Sequence, residues 1–352
     1  MTSVRNEVDR QDSDTRGTHL LPLEERFRGR RVLVTGGAGF IGSHLSERLL
    51  ELGASVRVFD DFSTGLRSSL SEIADDDLEV VEADLRDPEA CRRACDGTDL
   101  VFHQAALGSV PRSMKDPATS IAVNVAGTAN LLAAARDAEI RRFVYASSSS
   151  VYGDSATLPK REGEEGKVLS PYAASKAMDE QLADVFHRAF GMETVGLRYF
   201  NVYGPRQRPD GPYAAVIPRF VDACLAHRAP IIHGDGKQSR DFTWVGDAVA
   251  ANLLAAVAPS QSCGRSYNVA GGRRVTLLEL AAVVRAATGD APEPEHGPPR
   301  PGDVRHSLAD LTQVADGLGY QPAVELDDGL ARTVAWFVAG EKRPSKRADG
   351  RA

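Results

Sequence analysis

The run Thr35-Gly36-Gly37-Ala38-Gly39-Phe40-Ile41-Gly42 narrows what this chain can fold into more than any other stretch. It follows a short apolar segment, Arg31-Val32-Leu33-Val34, and precedes Ile41, Leu45, Leu49 and Leu52 at helical spacing, which sets it at a strand-to-helix turn. The G-x-x-G-x-x-G spacing allows a tight turn at Gly36, close backbone approach to a pyrophosphate at Gly39 and close helix packing at Gly42, with unpaired helix N–H groups facing the anion. A plain strand-to-helix turn can use the same residues, so the run opens a dinucleotide site without fixing one.

The alternation of strand and helix recurs at Val56–Phe59, Leu78–Val81, Leu100–His103, Arg142–Ala146 and Thr194–Arg198. Short apolar strands separated by helical patterns predict an α/β fold: a Rossmann-like, doubly wound parallel sheet whose crevice lies at the carboxyl ends of the strands. Beyond Gly204 proline and glycine become frequent. We therefore expect residues 29–203 to form mainly the dinucleotide-binding domain and residues 204–340 a smaller α/β substrate region, with some segments returning to the first domain. Residues 1–28 and 341–352 are polar and aperiodic and read as flexible tails.

Of the 352 residues, 42% are hydrophobic and 26% charged, and the net charge is −7, so no overall basic field favours nucleic acid. Cys91, Cys95, Cys224 and Cys263 are too scattered for a disulfide framework, and no metal site is expected. No uninterrupted apolar run of about 18 residues and no secretory signal is present, so a cytoplasmic protein without membrane contact is expected.

Asp60 ends the second strand, eighteen residues beyond Gly42, where a carboxylate can accept hydrogen bonds from an adenosine ribose and repel a 2′-phosphate; this favours NAD over NADP. Phe62, Ser63, Thr64 and Gly65 follow it and are expected to contact the cofactor with it, and Asp84 and Leu85 end the next strand near where adenine would lie. Tyr172 and Lys176 stand four apart on one face of a helix that Pro171 can start. Hydride can leave a secondary alcohol only if the hydroxyl proton is removed, and a tyrosine serves as that base when a neighbouring cation stabilises its phenolate. The serine run Ser147–Ser150 ends a preceding strand and can place a hydroxyl beside the reacting oxygen. His103, next to Gln104 at a strand end, reads as a structural hydrogen-bonding histidine.

These pieces in this order resemble the extended short-chain dehydrogenase/reductase family over the span from Arg31 to Phe337. More narrowly, His103–Ser113, Leu197–Gly204, Tyr213–Pro218 and Gly302–Asp310 are similar to bacterial UDP-N-acetylglucosamine 4-epimerases. The resemblance implies a catalytic set of Ser148, Tyr172 and Lys176. It adds Gln104, Ala105, Ala106, Asn124 and Tyr199 to the glycine loop (Gly36, Gly39, Phe40, Ile41, Gly42) as cofactor contacts. For the UDP-sugar it implies Gly108, Ser109, Ser149, Ser150, Asn201, Val216, Arg240, Arg300 and Asp303, with the small Ala215 and Ser307 admitting an acetamide. It further implies a homodimer formed by helices around Ala118–Ala135 and Ala173–Arg188, and a reaction in which oxidation at C4 gives a 4-keto sugar that turns and is reduced on its other face. Related dehydratases carry an acidic pair at the positions of Ser149 and Ser150, and decarboxylases a glutamate at Ser150. Two serines therefore favour simple epimerisation. UDP-glucuronate or UDP-glucose 4-epimerase and a silent NAD-binding protein on the same fold remain the alternatives.

Overall fold

The computed structural model describes residues 22–341 apart from 72, 74–75, 211–213, 290 and 300–303. Arg300 and Asp303, two of the expected substrate contacts, lie outside the described residues, as does Tyr213.

Six strands follow the apolar runs: β1 (Arg31–Thr35), β2 (Ser55–Asp60), β3 (Leu78–Glu82), β4 (Leu100–His103), β5 (Arg142–Ser148) and β6 (Glu193–Tyr199). A seventh, β7 (Arg265–Val269), pairs in parallel with β6. All seven form one parallel sheet in the order β7-β6-β5-β4-β1-β2-β3, so the chain reverses direction across the sheet between β1 and β4. Ligand crevices form at such a switch point, because the loops leaving the two strands diverge to opposite faces.

Both faces of the sheet are covered. Along β1, Val32 and Val34 belong to one core cluster with Leu45 and Leu49 of α1 (Phe40–Glu51) and with Ala248, Ala251 and Leu253 of α6 (Val245–Val257). Leu33 points the other way, into a cluster with Ala90 and Ala94 of α2 (Pro88–Cys95) and Leu131 and Leu132 of α3 (Pro117–Asp137). Alternating side chains that are apolar on both faces are what a strand buried between two helical layers requires. By length and composition α3 could also cross a bilayer. In the fold it is a core helix, with Asn124 and Thr128 buried.

Helix α4 (Pro171–Phe190) is set by its ends. Ser170 caps it, accepting from the Ala173 N–H at 3.1 Å; Pro171 takes the first turn, and Gly191 closes it at φ 70°. A third cluster unites α5 (Val216–Leu225), α7 (Leu277–Thr288) and α8 (Leu326–Glu341) through Ile217, Phe220, Leu280, Val284 and Leu330. Tyr203, four residues past the end of β6, joins this cluster.

Candidate active site

Three connected cavities occupy the crevice. The first, about 480 Å³, runs under the glycine loop past Asp60, Asp84 and Gln104 to Tyr172 and Lys176. The second, about 230 Å³, lies beside α5. The third, about 450 Å³, opens from Ser148–Ser150 and Tyr172 toward Val304 and Ser307. Asn201 lines all three, Ser148, Ser149 and Tyr172 line the first and third, and Arg240 lines the second and third.

The glycine loop is shaped by backbone contacts that leave no room for side chains. Gly36 has φ +67°, and a Cβ there would sit 2.6 Å from the Ala105 nitrogen; at Gly42 a Cβ would meet the Gly36 carbonyl oxygen at 2.1 Å. The loop thus closes against the end of β4 and delivers the N-terminus of the twelve-residue α1 to the cavity, with Gly39 at the cap and no side chain capping it. That leaves N–H groups and a positive dipole end for an anion. The Asp60 carboxylate accepts from Ala38 N–H at 3.0 Å and Phe62 N–H at 2.8 Å, and burial raises its pKa. Lys176 is the one cation among the described residues lining this cavity, and it stands at the end away from Asp60. A 2′-phosphate has no counter-charge there. The cradle fits NAD.

Of the expected cofactor contacts, Gly36, Gly39, Phe40, Ile41, Gly42, Asp60, Ser63, Thr64, Asp84, Leu85, Gln104, Ala105, Ala106, Tyr172, Lys176 and Tyr199 line the first cavity. Phe62, Gly65 and Asn124 do not. Phe62 turns its ring under the Arg67 guanidinium, 4.1 Å away. Gly65 packs where a Cβ would stand 2.9 Å from that of Ala38. Asn124 spends both ends of its amide inside the protein, accepting from Leu107 N–H at 2.8 Å and donating to Ser175 Oγ at 2.9 Å. These three shape the walls from behind.

At the catalytic end β5 stops at Ser148, whose Oγ accepts from the Ser150 N–H at 3.2 Å and starts the tight turn Ser149–Tyr152. The Ser150 hydroxyl is buried without a partner and lines the third cavity. Tyr172 is tied by its backbone N–H to Ser113 Oγ at 3.0 Å, while its own hydroxyl bonds no described residue. One turn on, the Lys176 ammonium donates to the Ala146 carbonyl at 2.9 Å and to Asp179 Oδ2 at 3.1 Å; both side chains of this pair are buried. Among the expected substrate residues, Ser148, Ser149, Ser150 and Ser307 line the third cavity, Val216 and Ala215 the second, and Gly108 the first. Ser109 lines none of them; it caps the short helix Val110–Lys115 through the Arg112 N–H.

Sequence reasoning missed several contributors. Asn252, buried in α6, accepts from Gln104 Nε2 at 2.9 Å and donates to the Tyr199 hydroxyl at 2.7 Å, while that hydroxyl donates to Gln104 Oε1 at 3.1 Å. This closed triangle fixes both cavity residues. A lone asparagine in the apolar run Val245–Val257 was the available signal. Gln207 and Gln238 present buried Oε1 atoms without partners beside the second cavity. Asp179 and Lys160, the latter buried against the third cavity, were also unread.

Beneath the site, His103 is buried with both ring nitrogens engaged, Nδ1 with Thr35 Oγ1 at 2.7 Å and Nε2 with Thr128 Oγ1 at 2.9 Å. Burial, and secondarily the charge of Lys176, push its pKa down to about 3 from 6.5. Below pH 6.5 the unfolded chain takes up a proton that folded His103 refuses. The stability this group contributes above pH 6.5 is therefore lost progressively toward pH 3. His103→Gln is expected to flatten the fall of melting temperature between pH 7 and pH 4; parallel curves for the two proteins rule this out. The four cysteines are free and buried, burial pushing the Cys91 and Cys95 thiols up to about 12, and no metal-binding cluster occurs among the described residues.

A glycine cradle for a dinucleotide, a Tyr172/Lys176 pair at its reactive end and two further cavities beyond define an NAD-dependent enzyme acting on an extended substrate. The family model described as the NAD dependent epimerase/dehydratase family matches residues 32–270, and the chain belongs to that family. The UDP-glucose 4-epimerase of Mycolicibacterium smegmatis is 40% identical over 310 residues, 87% of this chain and 98% of the relative. The UDP-N-acetylglucosamine 4-epimerase of Methanobrevibacter ruminantium, solved with UDP-N-acetylmuramic acid, aligns at TM-score 0.84 and 37% identity, covering 89% of this chain and 99% of that one. The Thermus thermophilus UDP-glucose 4-epimerase, solved with NAD, aligns at TM-score 0.80 and 37% identity, covering 88% and 99%. Within the family the chain is an NAD-dependent UDP-sugar 4-epimerase.

Proposed function

We propose that the chain interconverts UDP-N-acetylglucosamine and UDP-N-acetylgalactosamine. The observation that carries this reading is the third cavity: Ser148, Ser149, Ser150 and Ser307 line it, and none of its described lining residues is acidic. Eliminating water or losing carbon dioxide from a keto sugar calls for an additional acid or base, which serines do not supply. Inverting one hydroxyl calls only for Tyr172, Lys176 and space.

In this reading the uridine occupies the second cavity, where the side-chain carbonyl oxygens of Gln207 and Gln238 have no partner and can accept a hydrogen bond. Arg240, shared by the second and third cavities, lies where the diphosphate would cross between them. Bound in the first cavity, NAD supplies the acceptor and donor of the C4 hydride. Tyr172 takes the C4 hydroxyl proton and later returns it, Lys176 stabilises the phenolate, and Ser148 holds the C4 oxygen. Ser307 gives the acetamide a small neighbour in the sugar cavity. Ala215, which lies against the second cavity, does not share that role.

One observation favours a second reading, UDP-glucuronate 4-epimerase. Lys160 lines the sugar cavity, pairs with no described carboxylate, and has its pKa lowered by burial, so it could face a C6 carboxylate; its ammonium donates to the Ser155 carbonyl. Proton NMR of the purified enzyme with UDP-GlcNAc, UDP-glucose and UDP-glucuronate separates them. The expected result is a C4 epimer from UDP-GlcNAc at the highest kcat/KM. A higher value for UDP-glucuronate overturns the hexosamine reading.

A further inference from the structure

The third cavity is larger than the sugar assigned to it requires, and the surplus is walled by apolar side chains. An N-acetylhexosaminyl group has slightly fewer non-hydrogen atoms than a uridine. Yet the sugar cavity, at about 450 Å³, is nearly twice the nucleoside cavity's 230 Å³ and close to the 480 Å³ beside the whole dinucleotide.

Its outer wall is equally particular. Twelve large apolar side chains stand exposed among the described residues, and four of them, Val110, Met114, Leu169 and Val304, ring this cavity. Met114 is 62% and Leu169 54% exposed. They come from three separate segments, and among the described residues they stay exposed to solvent. Concentrated apolar exposure at the mouth of a polar site marks a place where a ligand supplies the missing cover. The cavity is continuous with the reacting end through Ser148, Ser149 and Tyr172, so the substrate's own sugar reaches it.

We infer that the sugar subsite takes UDP-hexosamines whose N-acyl group is longer than acetyl, with the added alkyl chain lying against Met114 and Leu169. This rests on the hexosamine reading above. The serines and Arg240 hold the polar part of the substrate, and the chain continues past Ser307 along the apolar wall. Each methylene removed from water there favours binding by about four-fold.

The same room could instead serve the keto sugar as it turns over, and the two uses differ in what blocking the wall does. The test compares chemically prepared UDP-N-butanoylglucosamine with UDP-GlcNAc, measuring both binding by calorimetry and epimerisation by NMR. The expected result is that the butanoyl compound, with two more methylenes, binds about ten-fold or more tightly than UDP-GlcNAc and is epimerised with a kcat/KM at least as high. Met114→Trp should then lower the butanoyl-to-acetyl ratio of kcat/KM by about ten-fold or more, and Leu169→Trp, at the other side of the wall, should do the same if the first variant folds poorly. An unchanged ratio in a folded variant assigns the room to sugar rotation and overturns the inference. So does a wild-type enzyme that binds the butanoyl compound no more tightly than UDP-GlcNAc. If neither compound is epimerised the hexosamine reading fails by itself, while the calorimetric comparison still decides whether the wall accepts an alkyl chain.

Discussion

Tyr172→Phe is expected to lower kcat by ~10²–10⁴-fold, the usual worth of a positioned general base, while leaving NAD content and thermal stability nearly unchanged. The separation of effects follows from the geometry. The Tyr172 hydroxyl bonds no described residue and faces the junction of the first and third cavities, so removing it opens no buried void and orphans no donor. What holds the ring is unaltered: the Ser113 hydroxyl still accepts from the residue 172 N–H, and Ser175 still donates to its carbonyl at 2.8 Å. A stability change within about 0.5 kcal/mol is the norm for such a replacement. The measurement is single-turnover epimerisation alongside NAD absorbance after denaturing the purified variant. Turnover above a tenth of wild type takes the base role away from Tyr172.

How far the site could be foreseen depended on how local its determinants are. The glycine loop, Asp60, the serine run and the Tyr172/Lys176 spacing are written within single strand–turn–helix units, where backbone sterics and capping decide the geometry from neighbouring residues. The six strands read from their apolar runs occur within two residues of the expected ends. Strand β7 escaped notice because Arg-Ser-Tyr-Asn-Val carries little apolar pattern; its strand character comes from pairing with β6. Asn252 and the wall of Val110, Met114, Leu169 and Val304 belong to segments far apart in sequence that meet only after the crevice has formed. Asn124 shows the opposite case. Its side chain, expected by resemblance to contact the cofactor, also accepts from Leu107 N–H and donates to Ser175 Oγ, two partners that no local pattern announces.

Lys176, proposed above to assist Tyr172, should be the weak point of the fold when it loses its partner. Lys176 and Asp179 are 2% and 1% exposed, and such a pair repays its desolvation only while both members are present. Lys176→Met is therefore expected to cost ~3–5 kcal/mol of unfolding free energy near neutral pH, as is Asp179→Leu. The double variant should return to within about 1 kcal/mol of wild type, because two apolar side chains of similar volume leave no buried charge. The lysine variant also acquires a pH dependence of known sign. Burial already raises the Asp179 carboxyl above 3.8, opposed chiefly by Lys176. Without the ammonium it rises further, and a group whose folded-state pKa is raised contributes stability that is fully present below 3.8 and lost as pH climbs through the folded value. The penalty of Lys176→Met should thus be smaller at pH 5 than at pH 8, whereas wild type shows a shallower slope. Urea titrations of the four proteins at both pH values measure all of this. Additive single costs in the double variant would show that the two side chains are energetically independent. Recovery of stability with no recovery of turnover instead identifies the ion pair as a feature retained for proton chemistry at Tyr172, since an apolar pair serves the fold as well.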